Sequence, residues 1–289
     1  MENNVVLDKV VDKIIEQLKL NTINTSLLES SVYSINAGGK RFRPLLLLKT
    51  LKALGTDVNL GIIPAASLEM IHTYSLIHDD LPAMDDDELR RGKPTNHIVY
   101  GEATAILAGD NLLTESFNLL TKSKLSPEQI VKLVTLYSKC AGQLGMISGQ
   151  MLDIEATEKE LTILELEEIH RNKTGELIVA AIEAATIIAN SESHVTESLK
   201  LFGEKLGLLF QVTDDILDVT GTTETLGKHI GSDEKNNKTT YVSLLGLDGA
   251  KEVKTTLANE MKDILNTLDK DIQISELMEI VELIVNRTK

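Results

Sequence analysis

Tryptophan is absent from the 289 residues, and aromatic residues make up only 3% of them. The core must therefore be aliphatic, and the abundant Val, Ile and Leu rarely alternate with polar residues as half-buried strands require. The single cysteine, Cys140, allows neither an internal disulfide nor a Cys-based zinc site. Basic residues are outnumbered, with 29 Lys plus Arg against 44 Asp plus Glu for a formal charge of −15. That balance argues against nucleic acid as a partner, because phosphate-backbone binding needs a basic face. A small anion in a local basic pocket stays open. The most apolar stretch, Leu177–Ala189, is interrupted by Glu183 and falls short of the roughly 20 residues that span a bilayer. The opening Met1-Glu2-Asn3-Asn4 lacks the basic start of a signal peptide. A cytoplasmic protein without a membrane span is the expectation.

Helical periodicity fills most of the chain. In Val5–Leu20 the residues Val6, Val10, Ile14 and Leu18, with Val11 and Ile15 beside them, form one stripe. Similar patterns run through Leu45–Leu54, Ala65–Leu81, Ala103–Leu120, Gln129–Tyr137, Leu161–Ile188, Glu197–Val219 and Ile274–Val285. Gly38-Gly39 and Gly55 end helices, and Ser126-Pro127-Glu128-Gln129 reads as an N-cap, a proline at N1 and a capping box. No repeat, low-complexity tract or long linker interrupts this order. The expectation is one all-α domain over residues 1–289, a large antiparallel helix bundle.

Two carboxylate clusters stand out. Asp79-Asp80-Leu81-Pro82-Ala83-Met84-Asp85-Asp86-Asp87-Glu88 follows an apolar helix, and Pro82 would clash with the His78 carbonyl. The helix should break there and let Asp85 turn back toward Asp79. The second cluster lies in Leu206–Val219, where Gln211, Asp214, Asp215 and Asp218 fall at i, i+3, i+4 and i+7 on an otherwise apolar helix. Like charges at this spacing destabilise a bare helix, so a compensating cation is needed. All the donors are hard oxygens, which select Mg²⁺, or Mn²⁺ in its place, over zinc or copper. Mg²⁺ commonly keeps waters and binds substrate phosphate through one or two carboxylates, so a diphosphate gripped between two facing clusters is expected.

Cations lie where such an anion needs them. Gly38-Gly39-Lys40-Arg41-Phe42-Arg43-Pro44 places three at a helix start, where glycine lets the backbone approach and the N-terminus favours negative charge. Arg90-Arg91-Gly92-Lys93-Pro94 follows the first acidic cluster, and Lys173, Lys228 and Lys238 punctuate later helix ends. His72, seven residues before Asp79, shares its helix face.

These segments resemble the trans-isoprenyl diphosphate synthases, most of all the bacterial farnesyl diphosphate synthases. The resemblance rests on Gly38–Pro44, Ile71–Gly92, Gly149-Gln150-Met151-Leu152-Asp153, Lys173-Thr174-Gly175, Phe210–Asp218 and Gly227–Tyr241, in that order. It implies the isoprenoid synthase fold with a deep central cavity, and an enzyme that joins an allylic diphosphate (dimethylallyl or geranyl) to isopentenyl diphosphate. It implies Asp79, Asp85 and Asp214 as the main Mg²⁺ ligands, with Asp80 and Asp218 in support. It assigns Arg90, Lys173, Thr174, Gln211 and Lys228 to the allylic substrate, and Lys40, Arg43, His72 and Arg91 to isopentenyl diphosphate. Lys173, Thr174 and Gln211 would be the catalytic side chains, with Gln211 and the Thr174 hydroxyl stabilising the allylic cation; Phe210 would line the substrate site, and the enzyme would be a homodimer.

Tyr74 and Ser75 precede Asp79 by five and four residues, roughly 6–7.5 Å along a helix. A chain growing away from the metals would meet Tyr74, which is expected to form part of a floor. Within the family, an aromatic here resembles the farnesyl type, whereas a methionine looks more like geranylgeranyl enzymes. The contrasting class is a di-iron carboxylate oxidoreductase, which needs two Glu-x-x-His motifs. Glu69-Met70-Ile71-His72 and Glu167-Glu168-Ile169-His170 have that form, but this reading leaves the aspartate stripes and basic segments unexplained.

Overall fold

In the computed structural model, residues 2–20, 22–157, 159–221 and 238–287 are described. Helices dominate. Among the described residues the sole sheet is a two-stranded hairpin. The all-α expectation is met, and the chain divides into two compact units, described in turn.

The first unit comprises residues 1–48 and 58–134. It holds α1 (Glu2–Lys19), α2 (Thr25–Asn36), the start of α3 (Phe42–Ala53), α4 (Ile62–Asp79), the strands β1 (Leu89–Arg90) and β2 (Lys93–Pro94), α5 (Asn96–Tyr100), α6 (Glu102–Leu120) and the start of α7 (Pro127–Ala141). The α1 stripe read from the sequence is inward: Val10, Ile14 and Leu18 are buried. Helix α4 packs against α6 and α1, and most of its circumference is buried. With its leading turn it spans Val58–Asp79, long and apolar enough to cross a membrane by length alone, yet it serves as the core helix of this unit. The predicted capping box at the α7 start is present, with Ser126 N–H on Gln129 Oε1 at 3.1 Å and Gln129 N–H on Ser126 Oγ at 3.2 Å.

The second unit comprises residues 49–57 and 135–289. It contains α8 (Met146–Glu155), α9 (Ile163–His170), α10 (Glu176–Ala189), α11 (Ser193–Thr220), α12 (Tyr241–Asn266) and α13 (Ser275–Val285). Helix α11 packs on α10 and α12, with Leu199, Phe202, Leu206, Leu209 and Val212 fully buried. Leu161–Ile188 reads as one helical pattern, but the structure divides it. Helix α9 begins behind a Thr162–Glu165 capping box, and a π-turn at Arg171–Gly175 separates it from α10. The chain is helical on both sides of the π-turn, so the segment reads as one helix. Helices α8 and α12 also go beyond the periodic segments. The latter is kinked at Gly246, whose φ of 71° no helix accommodates.

Candidate active site

In the first unit, α4 ends at Asp79 and the chain reverses immediately. The Asp85 N–H bonds the Asp79 carbonyl at 2.9 Å, the turn anticipated from Pro82. Asp80 is buried, and one of its oxygens accepts both Nε and Nη2 of Arg90 at 2.6 Å. Burial alone would lower the Arg90 pKa; the hydrogen bond and charge of Asp80 more than offset this and raise it. The hairpin supplies that arginine. Arg90 pairs with Lys93 across it, and the turn residues Arg91 and Gly92 have φ of 54° and 73°, the two positive angles of a type I′ turn.

The turn also carries Arg91 to the glycine loop. Arg91 donates to the Gly38 carbonyl, and its guanidinium fills the space a side chain at residue 39 would occupy. Gly39 is thus a close-approach glycine, with a φ of 115° besides. Lys93 reaches the Asn36 carbonyl at 3.2 Å, and the Tyr33 hydroxyl donates to the Pro94 carbonyl at 2.7 Å, so α2 and the hairpin hold the loop from both sides.

Helix α3 starts directly after Arg41, whose carbonyl accepts the Leu45 N–H at 2.9 Å. Arg43 therefore sits in its first turn, next to the exposed Lys40. Arg43 Nη1 lies 3.2 Å from His72 Nε2. Arginine has only donors, so that histidine nitrogen accepts and the proton sits on Nδ1. Burial, with the charges of Arg43, Arg91, Arg90 and Arg41, holds His72 well below the usual imidazole range and hence neutral. Burial lowers Arg43 to about 10, and the Arg91 charge adds to this. Arg91 is lowered as well, by burial first, with Arg41 and Arg90 among the causes. These guanidiniums crowd one another, the electrostatic signature of an anion site.

Tyr74, one turn before His78 on α4, is buried with its hydroxyl unpartnered and its ring edge-on to His78 at 5.7 Å. Burial and then the Asp79 charge push it up to about 12.

In the second unit, α11 presents the other acidic stripe. Its members have different partners. Asp215 is buried and accepts the Tyr241 N–H at the start of α12 at 2.7 Å. Asp214 accepts from Arg287, whose guanidinium carbon stands 4.8 Å above the Phe210 ring centre. Asp218 is buried one turn on. Gln211 Nε2 is 3.5 Å from Nδ1 of His170, which burial holds down at about 4 and which therefore accepts as a neutral ring. That ring stacks on Tyr241 at 5.8 Å.

Lys173 and Thr174 ride on the π-turn after α9, and Lys173 Nζ meets Asp153 of α8 at 2.6 Å. Gly149, one turn before Asp153, lies so near the Lys173 amide that a side chain there would strike it. The Gly149–Asp153 segment thus has a local job: glycine admits the turn and aspartate holds its ammonium. Lys228 lies outside the described residues.

The structure brings Lys40, Arg43, His72, Arg90, Arg91, Asp79, Asp80 and Asp85 together in the first unit. Lys173, Thr174, Phe210, Gln211, Asp214 and Asp218 gather in the second. Sequence reasoning assigned no role to Arg41, Glu69, Asp153 or His170 as partners of these groups. The helical spacing of Glu69 to His72 was visible, but its target was not. Among the described residues no three His, Cys, Asp or Glu side chains cluster tightly enough to hold an ion by themselves. The donor set fits a hard divalent cation that takes one or two carboxylates from the protein and its other oxygens from phosphate and water.

A family profile described as polyprenyl synthetase matches residues 24–283. Farnesyl diphosphate synthase of Micrococcus luteus is 50% identical over 282 residues, 93% of this chain and 96% of that protein. A Helicobacter pylori geranyltransferase, solved in complex with magnesium and isoprenyl diphosphate, superposes with a TM-score of 0.83 at 35% identity, covering 99% of this chain and 97% of that one. Geranylgeranyl pyrophosphate synthetase of Pyrococcus horikoshii superposes with a TM-score of 0.89 at 30% identity, covering 97% and 96%. The isoprenoid synthase fold, the order of the six motifs and the length of these matches agree, and the chain belongs to the polyprenyl synthetase family of trans-prenyltransferases.

Proposed function

We propose that this protein condenses an allylic diphosphate, dimethylallyl or geranyl, head-to-tail with isopentenyl diphosphate and releases farnesyl diphosphate. The observation that carries the reading is the crowded pair Arg43 and Arg91 beside neutral His72, next to the Arg90–Asp80 pair. A cyclase handles one diphosphate; this set supplies room for a second.

Asp79 and Asp85, with Asp80 in support, and Asp214 with Asp218 would hold Mg²⁺, or Mn²⁺. When bound there, such cations would supply charge neutralisation to the leaving diphosphate. Arg90, Lys173 and Lys228 take the remaining phosphate oxygens. His170 accepts from the Gln211 amide nitrogen, which leaves the Gln211 oxygen to face the allylic cation beside the Thr174 hydroxyl. Lys40, Arg43 and Arg91 bind isopentenyl diphosphate, whose double bond attacks the cation. One proton then leaves, with the departed diphosphate as its acceptor. No nucleophilic side chain is required. Tyr74 limits the chain to fifteen carbons, and Phe210 lines the site.

The two units act as one catalytic domain, since the family match runs across both. The protein works as a cytoplasmic homodimer; the apolar row Ile147, Met151 and Ile154 exposed along α8 suits coverage by a second copy. Glu69 of the first Glu-x-x-His pair is committed to Arg41 and His72 faces Arg43, which disfavours the di-iron alternative. The test is incubation of purified protein with dimethylallyl and isopentenyl diphosphates and Mg²⁺, followed by mass analysis. A dominant C15 product is expected; no condensation would refute the reading, and a dominant C20 product would move it to the geranylgeranyl alternative.

A further inference from the structure

Between Lys40 and Arg43 stands a third cation that behaves differently. Lys40 is exposed, but Arg41 is only 9% exposed and Glu69, its partner, 1%. Arg41 Nη1 bonds Glu69 Oε1 at 2.7 Å, and its Nη2 donates to the Ile35 carbonyl in the last turn of α2. One side chain thereby ties α2 and α4 to the start of α3. Its backbone has a φ of 48°, a left-handed conformation that is unfavourable for an L-residue and persists where surroundings enforce it. Arg41 is also the residue whose carbonyl opens α3.

The pairing is in register. Glu69 and His72 are three residues apart on one face of α4, and Arg41 and Arg43 are two apart at the α3 start. Arg41 meets Glu69 as Arg43 meets His72. The Glu69 carboxylate pairs directly with the inner arginine, and its charge also reaches Arg43 and Arg91. A buried ion pair of this kind contributes little net stability, but removing one partner strands the other's charge in the interior.

We propose that Arg41 and Glu69 are positioning residues for the isopentenyl diphosphate cations: their buried ion pair sets the left-handed entry to α3 and so the placement of Lys40 and Arg43. This inference rests on the function proposed above. Neither residue touches substrate.

Three variants test it. Arg41→Gly keeps the positive φ without steric cost and removes the strut. Glu69→Gln keeps the shape and removes the charge. The double variant Arg41→Met/Glu69→Leu removes both charges, a change a fold often tolerates. Steady-state kinetics with geranyl and isopentenyl diphosphates should show KM for isopentenyl diphosphate raised about tenfold, as misplaced binding groups do, with kcat and the geranyl diphosphate KM within about twofold of wild type. Calorimetric titration with isopentenyl diphosphate alone should weaken in parallel. Where a single variant loses its thermal transition, the double variant decides by the same criterion. A folded variant with wild-type KM for isopentenyl diphosphate, or with both KM values raised equally, overturns the proposal. Wild-type protein that binds no isopentenyl diphosphate refutes instead the function on which the proposal rests.

Discussion

The two acidic segments solve one electrostatic problem in different ways. In the first unit, α4 ends at Asp79, and a turn plus a hairpin bring Arg90 onto Asp80 from ten residues downstream. In the second unit the helix continues, and the aspartates are shared out: Asp215 to the first N–H of α12, Asp214 to Arg287, 73 residues away. A loop can gather several carboxylates in one place because its backbone is free to reverse. A helical stripe fixes them at one-turn intervals, so separate partners must come to it.

The largest effects should come from removing a metal ligand on either side. Asp79→Ala and Asp214→Ala should each cut turnover by on the order of 10³-fold or more, the scale set by losing a charge-stabilising contact in the transition state. Circular dichroism should show helical content unchanged. If one variant stays active, the segments are not equivalent.

Tyr74→Ala asks whether only the first segment has a product floor beneath it. Chromatography should show chains longer than C15; unchanged C15 would reject the floor role. Asp215→Ala separates structural from ligand aspartates on α11. It leaves a buried N–H unpaired, a loss of about 1–3 kcal/mol, and should lower the melting temperature while folded enzyme keeps its rate.

Arg287→Met should reduce the Mg²⁺ concentration for half-maximal activity roughly two- to fivefold, the scale of a partly exposed ion pair. Asp214 then has no guanidinium to give up. The smallest effect is predicted at α13, remote in sequence from both segments, where Glu276 bonds Lys49 and Lys52, each at 2.8 Å. Burial alone would raise the Glu276 pKa, but the two lysines outweigh it and lower it below its ordinary 4.5. A lowered carboxyl stabilises the fold above its unfolded pKa, and that contribution fades as pH falls below about 4.5. Urea titrations across pH 3–6 should show this acid-side loss, about 1 kcal/mol, flattened in Glu276→Gln.

Much of this was legible beforehand, for local reasons. A proline beyond the first turn breaks a helix, so the reversal at Asp79–Asp85 followed from Pro82. The Ser126–Gln129 cap follows from side-chain reach alone. The π-turn under Lys173 was hidden, because helical periodicity continues on both sides of it. The role of Arg41 was hidden as well. Its motif was plain, but a string of cations does not reveal that the middle one turns inward.

The order of motifs by itself determined the fold class, the carboxylate and cation chemistry and the family, since each depends on residue type and spacing along one helix or loop. Tertiary structure alone decided which aspartates hold backbone and which meet arginines, which histidines stay neutral, and which arginine braces the others. Those outcomes depend on burial and on partners distant in sequence, and neither is encoded in local spacing.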